Sequence, residues 1–74
     1  MNTEDKLKEI FAEVFAVSKN DITLQTKQSD LENWDSLGQL RLIMAIEDKM
    51  NISFAIDEIA KLDNFEQILE RINE

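Results

Sequence analysis

Seventy-four residues, with 16 acids against 8 bases and a net charge of −8, allow one small core spanning residues 1–74 and no second domain. There is no histidine and no cysteine, hence no imidazole base, no disulfide and no Cys/His zinc cluster. The acidity argues against nucleic acid, whose phosphates would be repelled, and favours basic protein surfaces as partners.

No apolar run approaches the ~20 residues that cross a bilayer. The opening Met1-Asn2-Thr3-Glu4-Asp5 is polar and acidic, unlike a signal peptide. A cytoplasmic monomer without membrane association is the expectation. With no proline, a single glycine and no strand-like alternation, the chain reads as all-α.

The first helix is expected from about Glu4 to about Val17. Asn2 or Thr3 can cap it, and Glu4 and Asp5 suit the positive end of its dipole. Leu7, Ile10, Phe11 and Val14 recur at helical spacing as its core stripe. Ser18 to Asp35 is a long polar connection carrying isolated apolar residues, Ile22, Leu24, Leu31 and Trp34. A loop of that length in so small a chain must pack down or serve a function. The four apolar residues are expected to pin it, and Ser29-Asp30-Leu31-Glu32 can cap a short turn within it.

The second helix is predicted from Ser36 to about Met50, and a short third one from about Ile56 to Leu62. The fourth begins after Asn64, with Gln67 at capping-box spacing and Phe65, Ile68, Leu69 and Ile72 facing the core. Three main helices and one short one form the expected bundle.

The second helix has two apolar faces. At ~100° per residue, Leu42, Ile43, Ile46 and Met50 cluster on one side as a core stripe. Leu37, Leu40 and Met44 form another stripe roughly 140° away. Arg41 and Asp48 lie close to that second stripe, with Glu47 on its edge. A helix apolar on two sides is either central or half exposed to a partner. Apolar residues rimmed by charge suggest docking, unless the long loop covers them.

Ser36 stands at the start of this helix beside Asp35, with no histidine or cysteine to activate it. Any chemistry at its hydroxyl must come from another protein. As purely local structure, Ser36 reads equally as a helix cap with Gln39 completing a capping box.

Asp35-Ser36-Leu37, followed by Leu40 and Leu42-Ile43-Met44-Ala45-Ile46-Glu47 and a short link to Ile52, resembles the acyl carrier protein family. The likeness covers nearly the whole chain. It includes the first amphipathic helix, the long loop, the serine opening the second helix, the short third helix and the closing one. The resemblance implies that a phosphopantetheinyl transferase moves 4′-phosphopantetheine from coenzyme A onto Ser36. Acyl-loading and acyl-processing enzymes would then act on a thioester at the arm's end, and the carrier itself would catalyse nothing. It further implies that Asp35, Leu37, Leu40, Met44, Glu47 and Asp48 meet partners.

The residues themselves accord with this. With no cysteine in the chain, the working thiol must belong to the arm. A helix N-terminus tolerates the anion that attaches it. Asp35 would repel that anion and reads better as the helix cap. Trp34 reads as a core anchor rather than a lining of the arm's exit. Ile43, Ile46, Ile59 and Leu62 serve either as plain core or as an interior that parts around a chain.

The wording Trp34-Asp35-Ser36-Leu37-Gly38-Gln39-Leu40 is similar to specialised carriers rather than to the standard fatty-acid one. Asp35 to Met50 holds Asp35, Glu47 and Asp48 against Arg41 and Lys49, a net charge of −1. Asn51 to Glu74 holds six acids against Lys61 and Arg71, a net of −4. Arg41 stands where the family commonly has an acid. The acidic field therefore leans toward the third and fourth helices, which points away from general fatty-acid enzymes. Gly38 either admits an enzyme close to the serine or only weakens the first turn. Acyl cargo is favoured slightly by charge over aminoacyl or peptidyl cargo. An unmodified helical docking domain is the reading from a different class. A calcium sensor is set aside because its loop pattern is missing.

Overall fold

The structure is a computed structural model and describes residues 2–73. Four helices follow in order: α1 (Thr3–Phe15), α2 (Ser36–Met50), α3 (Ile56–Ile59) and α4 (Phe65–Ile72). Among the described residues the only β-type pairing is one bridge, Lys27 with Asn64. No described helix is long and apolar enough to cross a membrane.

Asn2 caps α1, accepting the Asp5 N–H at 2.8 Å. The helix stops at Phe15 rather than Val17. Ala16 turns into the left-handed region (φ 56°), and the Ala16 and Val17 N–H groups both return to the Ala12 carbonyl. That closure resembles the usual Schellman ending, with alanine in place of the preferred glycine. The buried stripe is Leu7, Ile10, Phe11 and Phe15, while Val14 is only partly buried. The Phe11–Phe15 step continues the helical spacing inward.

The first loop contains two 3₁₀ turns, Lys19–Asp21 and Gln28–Asp30. The expected capping turn at Ser29 sits earlier: Asp30 Oδ2 accepts the Lys27 N–H at 3.1 Å, so Asp30 closes a turn that Lys27 opens. Ile22 and Trp34 are buried and Leu31 partly so, but Leu24 remains exposed. Backbone bonds replace Leu24 as the fourth anchor. Phe65 N–H donates to Thr26 O and Gln28 N–H to Asp63 O, both at 2.8 Å, stitching the loop to the start of α4. Thr26 is buried there, its hydroxyl accepting the Thr23 N–H at 2.8 Å.

α3 is a single turn, shorter than the expected span to Leu62. Beyond Ile59 the chain tightens into i→i+3 bonds, Lys61 N–H to Glu58 O and Leu62 N–H to Ile59 O. Two other elements hold this short piece. Arg71 of α4 pairs with Glu58, donates to Ser53 O at 2.9 Å and lies 4.9 Å from the Phe54 ring centroid. Glu47 of α2 accepts the Phe54 N–H at 2.8 Å. Asn64 caps α4 as expected, accepting from Gln67 N–H at 2.8 Å, but the Gln67 side chain accepts the Asp63 N–H rather than that of Asn64, so the capping box is only half formed.

One apolar cluster joins the elements. Leu7, Phe11 and Phe15 meet Leu42, Ile43 and Ile46 of α2 and Phe65 and Ile68 of α4, with Ile22, Trp34 and Phe54 contributed from loops. Leu69 and Ile72 pack at its margin. At their far side α1 and α2 are joined by Lys49 and Glu13, 3.0 Å apart, an exposed pair that contributes about 0–1 kcal/mol.

Candidate functional site

Ser36 is the first residue of α2 and is exposed. Its position follows from Asp35, which is extended (φ −100°, ψ −165°) and accepts the Gly38 N–H on Oδ1 at 2.8 Å. The Asp35 carbonyl takes the Gln39 N–H, also at 2.8 Å, and so begins the helix. Asp35 is therefore the cap, and the Ser36 hydroxyl is left outside that role. The alternative capping box between Ser36 and Gln39 does not form.

Gln39 instead turns inward. Its Nε2 donates to the carbonyls of Ile59 and Leu62, each at 2.8 Å, and its Oε1 accepts the Trp34 indole N–H at 2.6 Å. One buried carboxamide thus joins the end of the first loop, α2 and the end of α3. Orphaning any one of these buried partners costs about 1–3 kcal/mol, so the strut fixes the geometry around Ser36. Sequence reasoning gave Gln39 only the role of a surface cap. A signal was present: Gln39 stands three, four and seven residues before Leu42, Ile43 and Ile46, on the buried face.

Trp34 is buried and packs edge-on to Phe11, centroids 5.2 Å apart, and against Phe15 at 5.5 Å. It anchors the loop rather than lining a path from the serine. Gly38 is buried as well. A Cβ there would stand 2.1 Å from the Asn33 carbonyl oxygen and 3.2 Å from the Phe15 ring. Glycine is required because the loop backbone crosses directly against α2. Gly38 opens no approach for an enzyme.

Beside Ser36 an open groove of about 560 Å³ runs between α2 and α3, lined by Ser36, Gln39, Leu40, Ile56, Ile59 and Leu62 among others. The four candidate interior residues are divided by it. Ile59 and Leu62 line the groove and are half-buried, while Ile43 and Ile46 are buried in the core.

Leu37, Leu40 and Met44 are 72 %, 50 % and 66 % exposed, so the first loop does not cover the second stripe of α2. Ile56 of α3, 88 % exposed, adds to this face and was not foreseen as a surface residue. Arg41 and Asp48 are exposed beside it. Glu47 is half-buried and engaged with the Phe54 amide. Among the described residues Arg41 belongs to none of the ion pairs, which join Lys8 to Glu4, Lys19 to Asp5, Lys49 to Glu13 and Arg71 to Glu58.

The donor set suits an anionic group carrying a long arm. The N–H groups of Ser36 and Leu37 open the helix with no intrahelical acceptor, where the dipole favours negative charge. The apolar wall of Leu40, Ile59 and Leu62 begins next to the serine.

The model of the family described as "Phosphopantetheine attachment site" matches residues 5–72. An acyl carrier protein of Clostridium perfringens strain SM101 is 31 % identical over 70 residues, covering 95 % of this chain and 92 % of the relative. The acyl carrier protein of strain 13 of the same species matches to the same extent. The solution NMR structure of a holo acyl carrier protein from Geobacter metallireducens superposes with a TM-score of 0.85. That protein is 34 % identical, and the match covers 99 % of this chain and 84 % of it.

Proposed function

This chain belongs to the acyl carrier protein family, and we propose that Ser36 bears its phosphopantetheine arm and that the pathway it serves is a specialised one. Members of the family are carriers, not enzymes, and transferases and acyl-processing enzymes act on them. The arm, once attached, supplies the thiol that holds an acyl group as a thioester.

The observation that carries the assignment of Ser36 is its place: exposed, first in α2, relieved of capping by Asp35 and at the mouth of the α2–α3 groove. The hydroxyl has no base of its own, so the transferase must activate it. Asp35 holds the first turn in place through Gly38 while Ser36 reacts. Leu37, Leu40 and Met44 form the surface that partners meet, with Asp35, Glu47 and Asp48 as its acidic contacts. Arg41, in the middle of that surface, weakens attraction to enzymes that expect an acidic second helix. The specialised pathway rests on that cation and on the shift of negative charge toward α3 and α4.

Incubation with coenzyme A and a broad-specificity transferase tests the attachment. The intact mass rises by one phosphopantetheinyl group, and Ser36→Ala abolishes the rise. Wild-type protein that stays unmodified would mark the chain as a helical docking domain instead.

A further inference from the structure

We propose that Gln39 keeps the cargo on the surface, barring long alkyl chains from the core, and that this carrier therefore serves short or polar acyl groups. This rests on Ser36 as the attachment point. A chain tethered there reaches the interior only by parting α2 from the end of α3. That seam is where Gln39 Nε2 holds the Ile59 and Leu62 carbonyls at 2.8 Å, while Oε1 holds the Trp34 N–H at 2.6 Å.

Parting the seam orphans Gln39 Nε2 and the Ile59 and Leu62 carbonyls, and an alkyl chain brings no polar atom to replace them. Several buried methylenes are needed to offset each such group, so a short chain does not open the seam. The space beyond is occupied, because Trp34, Ile43, Ile46 and Phe65 belong to one buried cluster. Outside the seam, the groove already offers Leu40, Ile56, Ile59 and Leu62 as an apolar wall, with Gln28 and Ser36 as polar lining. A short acyl group lies along that wall without disturbing the strut. Gln39 touches neither the serine nor the thioester; it is a positioning residue that acts through the end of α3 and Trp34.

The test loads Ser36 from acetyl-, octanoyl- and dodecanoyl-coenzyme A with a broad-specificity transferase, each product being verified by intact mass. Tm and the isoleucine and leucine methyl NMR shifts are then compared. In the wild type, Tm is independent of chain length. Methyl shifts are confined to Leu40, Ile56, Ile59 and Leu62, and Ile43 and Ile46 stay unmoved. In Gln39→Leu no side-chain bond from Gln39 ties α2 to the end of α3, so the dodecanoyl form melts above the acetyl form of the same variant, and Ile43 and Ile46 shift.

A wild-type Tm that climbs with chain length while Ile43 and Ile46 move overturns the proposal. A folded Gln39→Leu protein with a flat response does so too. If Gln39→Leu does not fold, Gln39→Met, close in size and equally unable to bond the Ile59 and Leu62 carbonyls, gives the same rise, and a flat response there has the same force. Absence of any mass increase overturns the attachment at Ser36, and this proposal with it, before any melting is measured.

Discussion

The Trp34 indole N–H donates to Gln39 Oε1 at 2.6 Å, and this pair brackets Ser36 in sequence. The last turn of the first loop and the first turn of α2 are thereby held together from inside, while the serine between them faces outward. Gln39→Ala should lower stability by about 2–4 kcal/mol, because it leaves the indole and carbonyl groups without partners. Urea denaturation would show the loss. Trp34 fluorescence should shift to the red as the indole gains access to water.

Gly38→Ala addresses the close approach of the loop to α2. The added methyl meets the Asn33 backbone oxygen, which cannot swing aside as a side chain would. A loss of about 1–3 kcal/mol is expected, opposite to alanine's usual benefit within a helix. Equal or higher stability in thermal melts would show that the loop is not held against the helix.

At the end of α1, Ala16 adopts a left-handed conformation (φ 56°) that costs an L-residue with a Cβ. Ala16→Gly should stabilise by about 0.5–1 kcal/mol, the relief of that strain exceeding glycine's greater unfolded freedom. Asn51 ends α2 with the same φ of 56°, but asparagine tolerates it, so Asn51→Gly should change Tm less.

The Glu58 carboxyl is held below the ordinary glutamate range, first by the Ala55 N–H and then by Arg71. Its folded pKa is thus lower than its unfolded one. The stability it contributes is complete above the ordinary glutamate value, about 4.3, and is lost as pH falls through the folded value. In a series of melts from neutral to acidic pH, Glu58→Gln should be less stable than wild type above that range. The gap should close on acidification, and a gap constant with pH would rule out this coupling.

Docking can be separated from folding on the exposed face of α2. Met44→Ala removes a side chain 66 % exposed, so Tm should change little while kcat/KM of a cognate partner falls several-fold. Arg41→Glu should raise turnover by a general fatty-acid synthase enzyme by restoring negative charge to this helix. Unchanged or poorer turnover would remove Arg41 as a determinant of pathway.

Much of this protein is readable from local pattern. The span Ser36–Met50, the Asp35 cap, the Asn64 cap and the two-sided character of α2 all rest on spacing within a few residues, and each appears in the structure. Near-neighbour chemistry decides helix starts and faces, so the sequence suffices for them. The premature end of α1 at Ala16 was not readable, because alanine carries no signal for a left-handed turn. The remaining decisions are long-range. Gln39 bonds residues twenty and more positions away, Phe65 N–H bonds the Thr26 carbonyl, and Gly38 answers to an Asn33 carbonyl brought over it by the loop. Only the closed fold sets those distances. Sequence therefore determined that a serine opens an apolar helix without a base of its own. Tertiary packing decided that the helix start is braced from beneath, that its outer stripe stays bare, and that a groove begins at the serine.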